Sequence, residues 1–167
     1  MEKDFEDREA IKKLKSLAED IRFCMYTTYS DGKIESRPMT TLEIDTDGNV
    51  WFFTSRNTEI GDETNRREPV TLIYSDPKSN TYISVSGNAA IVESEARKEE
   101  LWNPMSKAWF PEGKDDPNLV VLKVTTDEAA YWDSTSSKMV VFFSMIKAVL
   151  TGTTPEGGDH GKLNLVG

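Results

Sequence analysis

The chain has 167 residues, of which 37% are hydrophobic and 29% charged, which suits one folded domain with a core of its own. A net charge of -9 excludes a general nucleic-acid binder or a protein drawn to anionic lipid, because both need a basic face. One cysteine and one histidine exclude an intrachain disulfide, and they leave hydrolytic triads and zinc sites short of members.

Residues 7–21 are expected to form an amphipathic helix, with Ile11, Leu14, Leu17, Ala18 and Ile21 at three- and four-residue spacing. Residues 22–29 read as a first strand, rich in aromatic, Thr and Met residues. The Asp31-Gly32 pair then marks a two-residue hairpin, and residues 34–44 read as a second strand. Pro38 inside it predicts an edge or a bulge, since proline cannot donate to a ladder. After the turn at 45–49, residues 50–55 form a third strand, and residues 58–67 a weak helix ended by Pro69. Strands follow at 70–76 and 81–93, with Gly87 predicting a bulge or a barrel corner.

Ser94 is placed to cap a helix running to about residue 102, and residues 104–110 suit another short one. Residues 119–126 and 129–133 read as two further strands, and residues 137–150 as a helix closed by Gly152. The short turns imply antiparallel pairing. The fold expected is mainly β with peripheral helices, a closed or nearly closed barrel of six to seven antiparallel strands. One domain is expected over 1–152, followed by a loose Gly-rich tail over 153–167 that contains His160. The longest strongly apolar run, MVVFF at 139–143, is far short of the ~20 residues of a bilayer span. The charged N-terminus MEKDFEDREAIKKLK is unlike a secretory signal, so a cytoplasmic protein is expected.

Two steps carry chemistry: Arg37-Pro38-Met39-Thr40 in the second strand and the aromatic-Thr-Ser end of the third. With Trp102, Trp109 and Trp132 they offer apolar walls, hydroxyls and a guanidinium, an inventory that suits a planar ligand with an anionic tail. Each residue also has an ordinary structural reading. Arg37 alone is more often a solvated strand residue, and Trp102 and Trp109, seven apart, would also pack together on one helical face. Adjacent Phe52 and Phe53 point to opposite faces of a strand, so one is core. Cys24 reads as a small buried apolar residue. Neither a Gly-x-Gly-x-x-Gly nor a Gly-Lys-Ser/Thr loop supports Rossmann or P-loop nucleotide binding.

The series SRPM (36–39), WFFTS (51–55), YSDPKSNTYISVSG (74–87), ELWNPMSKAWFPEGKDDP (100–117) and EAAYWDSTSSK (128–138) resembles the general stress protein 26-like members of the pyridoxamine 5'-phosphate oxidase-like split barrels, over about residues 8–165. The resemblance implies a homodimer that binds two FMN molecules between its subunits, with no nucleic-acid or membrane partner. It places Arg37, Pro38, Met39 and Thr40 along the flavin, Phe53 and Thr54 on the next strand, and Thr58 at the phosphate. Tyr82 and Trp132 match flavin-facing positions, Trp132 as the partner subunit's contribution, and Trp102 and Trp109 complete the set of candidate cofactor contacts. No catalytic residue and no metal ligand is identified.

Two departures shape the expectation. Where the oxidases grip the phosphate with an Arg-Lys pair, this chain has Glu59 and Ile60, which removes charge-assisted bonds of roughly 1.5–3 kcal/mol each and leaves Arg37, Arg56 or Arg66 to substitute. Where the oxidases hold the vitamin phosphate with an Arg-Leu-His-Asp-Arg run, residues 136–140 read Ser-Ser-Lys-Met-Val, so pyridoxamine-phosphate oxidation is not expected. The reading is an FMN-dependent oxidoreductase fed by a reduced nicotinamide, with FAD as the other possible flavin. Its alternative is a non-catalytic module that stores or senses flavin.

Overall fold

The computed structural model describes residues 5–58, 68–133 and 159–164. The expected helices at 58–67, beyond its first residue Thr58, and at 137–150, with Glu59, Ile60 and Arg66, lie outside the described residues.

The elements in chain order are β1 (Phe5–Glu6), α1 (Asp7–Ile21), β2 (Phe23–Ser30), β3 (Lys33–Thr40), β4 (Glu43–Ile44), β5 (Val50–Ser55), β6 (Glu68–Asp76), β7 (Thr81–Val92), α2 (Glu95–Leu101), a 3-10 helix (Pro104–Ala108), β8 (Leu119–Asp133) and β9 (Asp159–Asn164). Among the described residues one sheet runs in the order β1-β9-β8-β7-β6-β2-β3, and β8 also pairs with β5, which pairs with β4. Every pairing is antiparallel except β1 with β9. This is the mainly β split barrel that the strand pattern predicts.

α1 covers the expected span, and its apolar stripe closes one end of the barrel: Ala10, Leu14 and Ala18 are fully buried in the main core. Inward residues of the strands supply the rest, with Tyr26, Phe52, Leu72, Tyr74, Val85, Leu122 and Tyr131 among them. Phe52 meets Tyr26 edge to face, ring centroids 6.2 Å apart. Asp31 and Gly32 both take positive φ, 50° and 76°, as a tight hairpin turn between β2 and β3 requires.

Three differences from the sequence reading have local causes. The second strand stops at Thr40 rather than at residue 44, because the chain changes partners there: the Thr41 N–H bonds Arg22 O and the Leu42 N–H bonds Trp51 O. Residues 119–133 form one strand rather than two. Gly87 pairs with Thr126 and Ser86 with Glu128, so Asp127, read as a break, is the extra residue of a bulge. Gly87 is the counterpart that permits it, since a Cβ there would lie 2.2 Å from the Thr125 carbonyl oxygen. Within the segment 153–167, expected to be loose, Asp159–Asn164 forms β9 along β8, with Leu163 fully buried and His160 opposite Trp132 in the ladder.

Candidate functional site

The barrel splits between β3 and β5. β3 pairs with β2 on one side, and β5 with β8 along its length. On its other side β5 meets only the two residues of β4, opposite Val50 and Trp51. From Phe52 onward no ladder joins β5 to β3 among the described residues. The two edges leave backbone donors and acceptors facing a gap, and Pro38 lies on one edge without an N–H to strand.

That gap is a cleft of about 720 Å³, within the ~300–1,000 Å³ typical of small-molecule sites. Pro38, Met39, Thr40, Thr41 and Leu42 line one side and Phe53, Thr54, Ser55 and Thr58 the other. Asn103, Met105, Ser106, Trp109 and Phe110, on and beside the 3-10 helix, form its lid side.

The local chemistry explains the shape. Asn103 caps the 3-10 helix by accepting from the N–H groups of Met105 and Ser106 at 3.0 and 3.2 Å. Phe53 is propped between Trp102 and Phe110, centroids 6.0 and 6.3 Å away. Thr58 donates to Ser55 O at 2.8 Å and shares a 3.4 Å contact with Thr54 Oγ1, so a tight turn at the end of β5 gathers hydroxyls at one end of the cleft. At its floor Thr41 and the buried Tyr74 share a 2.7 Å hydroxyl bond. Burial pushes the Cys24 thiol beside them up to about 12, an effect that hydrogen bonds from Tyr74 and Thr41 only reduce. Cys24 is therefore a neutral core residue.

The structure brings together Pro38, Met39, Thr40, Phe53, Thr54, Thr58 and Trp109 of the expected set, with Trp102 behind Phe53. Trp102 and Trp109 do not share a helical face, because one ends α2 and the other ends the 3-10 helix. Arg37 is not among the cleft-lining residues of this protomer, and β3 places it opposite the inward-facing Tyr26. Arg56 is turned to Glu93, 2.9 Å away. Tyr82 and Trp132 lie side by side on β7 and β8, 40% and 50% exposed and away from the cleft.

Among the described residues the cation that lines the cleft is Arg22, which the sequence alone places at the start of a strand. Arg22 joins α1 to β2 with φ 66°, a left-handed conformation that costs an ordinary residue roughly 1–2 kcal/mol. Two backbone bonds hold it there, to Ala18 O and from Thr41 N–H, both 2.9 Å. Its Nη1 reaches the Met105 thioether at 3.3 Å. Among the described residues that line the cleft Arg22 is the only cation, and no carboxylate accompanies it.

A second depression, of about 540 Å³, opens on the outer face of β2, β6 and β7 among Thr27, Tyr29, Ile34 and Asn88. It has no cation and no aromatic wall facing another, so it does not share the chemistry of the cleft.

Comparison with known proteins points the same way. The pyridoxamine 5'-phosphate oxidase like family model matches residues 9–156. General stress protein 26 of Bacillus subtilis is 31% identical over 105 residues, 60% of this chain and 72% of that protein. The solved structure of a general stress FMN/FAD binding protein from Xanthomonas citri is 32% identical, with TM-score 0.66, over 77% of this chain and 92% of that one. A putative general stress protein 26 from Jannaschia sp. shares the fold at TM-score 0.74 and 23% identity, over 93% of this chain and 98% of that one.

Proposed function

The chain belongs to the pyridoxamine 5'-phosphate oxidase-like family, and from that premise we propose that it binds FMN in the β3–β5 cleft and works as a flavin-dependent oxidoreductase of the general stress type. The observation that carries this is the split itself: two unladdered strand edges, an aromatic wall at Phe53 and a cluster of hydroxyls at Thr54 and Thr58. A planar tricycle needs apolar walls and in-plane donors and acceptors, and a phosphate needs hydroxyls and N–H groups at one end. The residues present fit both needs. Pro38, Met39 and Thr40 would lie along the ring, Phe53 would wall it, and Thr54 and Thr58 would hold the phosphate.

When bound, the flavin would supply a two-electron acceptor able to take hydride from a reduced nicotinamide. The chain's own part is to position it, exclude water with Phe53, Trp109 and Phe110, and present donors to the developing charge. Among the described residues no Asp, Glu, His, Lys or Tyr lines the cleft, so none of them offers a general acid or base there. The same observation favours the second reading, a flavin carrier or sensor without turnover.

The active unit in this reading is a cytoplasmic homodimer. Phe23, Met25, Pro38, Ile73, Tyr82 and Trp132 stand outward on neighbouring strands of one sheet face, a large apolar surface for a single protomer. A second copy seated there would cover it and carry Tyr82 and Trp132 to the neighbouring cleft. Arg37 lies on the other face of β3, opposite Tyr26, and would reach the phosphate around the open edge of that strand.

The fresh protein is expected to be a dimer by light scattering and yellow, releasing FMN on denaturation. A colourless protein that takes up neither FMN nor FAD overturns the flavin reading. Reduction of bound flavin by a nicotinamide, with turnover on an acceptor, separates enzyme from carrier, and pyridoxamine 5'-phosphate should not be oxidised. Arg37→Ala is expected to weaken FMN by about tenfold, roughly 1.4 kcal/mol, while leaving riboflavin unchanged. An equal dissociation constant for FMN would remove Arg37 from the phosphate site.

A further inference from the structure

We propose that Arg22 determines specificity by holding the anionic group of a second, small planar ligand that enters the cleft beside the flavin. The proposal rests on the flavin reading for that neighbour, and on the geometry of Arg22 for the rest. The cleft has two chemically different ends. Thr54 and Thr58 gather hydroxyls at the end of β5. Arg22 lies at the other end. Its carbonyl accepts from Thr41 N–H and the next residue, Leu42, donates to Trp51 O, which sets Thr41, and Arg22 facing it, about level with Phe52, where the gap opens. Thr54 is two residues further along β5, roughly 7 Å at the rise of a strand, and stands across β3 and the gap from Arg22. A phosphate held by the threonines therefore lies apart from this guanidinium, which turns to Met105.

What surrounds Arg22 is suited to a flat molecule with a charge at one edge. Met105 and Trp109 line the same cleft and are exposed, Trp109 at 71%. The only polar contact of the guanidinium among the described residues is the Met105 thioether, a weak acceptor. In a chain whose other arginines include Arg56 and Arg97 bonded to carboxylates, this one keeps its planar fork of donors for a carboxylate or phosphate. The left-handed backbone at Arg22 fixes the root of the side chain, so the charge is presented from a rigid point rather than from a loop.

The test uses the full-length protein and two probes of one shape, benzoate and benzamide, titrated against the FMN-loaded form and followed by perturbation of the flavin spectrum. The wild type is expected to bind benzoate at least tenfold more tightly than benzamide. Arg22→Asn, chosen because asparagine accepts the left-handed backbone, is expected to bring benzoate down to the level of benzamide. Its affinities for FMN, riboflavin and benzamide should stay within twofold of the wild type. Arg22→Lys, which keeps the charge without the fork, should fall between. A wild type with no preference for benzoate, or a preference that survives Arg22→Asn, overturns the proposal. So does an Arg22→Asn protein that loses FMN affinity but not riboflavin affinity, since the guanidinium would then serve the cofactor's phosphate. If the protein takes up no flavin, the proposed function fails separately. The same titrations, read through the fluorescence of Trp102 and Trp109, then decide Arg22 alone.

Discussion

The two edges of β5 show how one strand serves both stability and recognition. Along one edge every residue from Val50 to Ser55 is paired to β8, and the inward side chain Phe52 is fully buried. Along the other, pairing ends after Trp51, and the next outward residue, Phe53, lines the cleft. Phe52 and Phe53 are chemically identical neighbours with opposite fates, set by the two-residue period of the strand and by which edge the sheet closes. The closed side is stabilised by burial. The split side keeps backbone polarity and aromatic surface unspent, which is what a ligand needs.

The sharpest test of that contrast is the pair of alanine variants. Phe52→Ala empties a packed position and is expected to cost about 3–5 kcal/mol in denaturant unfolding. Phe53→Ala, on a wall open to solvent, is expected to cost less than half as much and instead to lower FMN affinity by tenfold or more. Equal stability losses would mean that the cleft wall is part of the core.

A smaller effect is expected at the β4–β5 hairpin, where the split edge is still paired. Asp45 accepts from Asp47 N–H, Asn49 N–H, Asn49 Nδ2 and Trp51 Nε1, between 2.8 and 3.0 Å. Partial burial pushes its carboxyl upward, but the hydrogen bonds from Asn49, Trp51 and Asp47 outweigh that and hold it below the ordinary 3.8. A lowered folded value means that the charged form stabilises the fold above the unfolded value and that the contribution is lost as pH falls through the folded one. Asp45→Ala should therefore cost about 1–3 kcal/mol at pH 7, and the difference from wild type should shrink below pH 4. A difference that stays constant down to pH 2 would assign the loss to packing.

The smallest expected effect is at the cleft floor. With its thiol raised from 9.0 to about 12, Cys24 stabilises the fold below pH 9.0 and loses that contribution as pH rises toward 12. At neutral pH it should react with a thiol reagent only at the rate of unfolding. Rapid labelling of the native protein would show that the floor opens.

Much of this was legible in the sequence, for reasons that are local. The apolar spacing over residues 7–21 marked α1, the aromatic run after the turn at 45–49 marked β5, and Pro38 marked β3 as an edge or a bulge, of which the sheet shows the edge. Ser94 capped the helix it was expected to cap, accepting from Arg97 N–H. The strand motifs that line the cleft were visible because Pro, Met, Thr and Phe carry their character wherever they stand.

The amino-acid sequence alone determined the elements and the residue types of the cleft, because helix and strand periods and turn chemistry act between near neighbours. The tertiary structure decided which of them meet. β9 has almost no apolar alternation and exists because β8 offers it a ladder and a buried place for Leu163. Asp127 looked like a break and is a bulge because Gly87 faces it across the sheet. Arg22 looked like the start of a strand and became the charge of the cleft, because Thr41 captures its carbonyl and Met105, 83 residues away, lies against its guanidinium. Contacts of that separation leave no local pattern, so only the closing of the barrel reveals them.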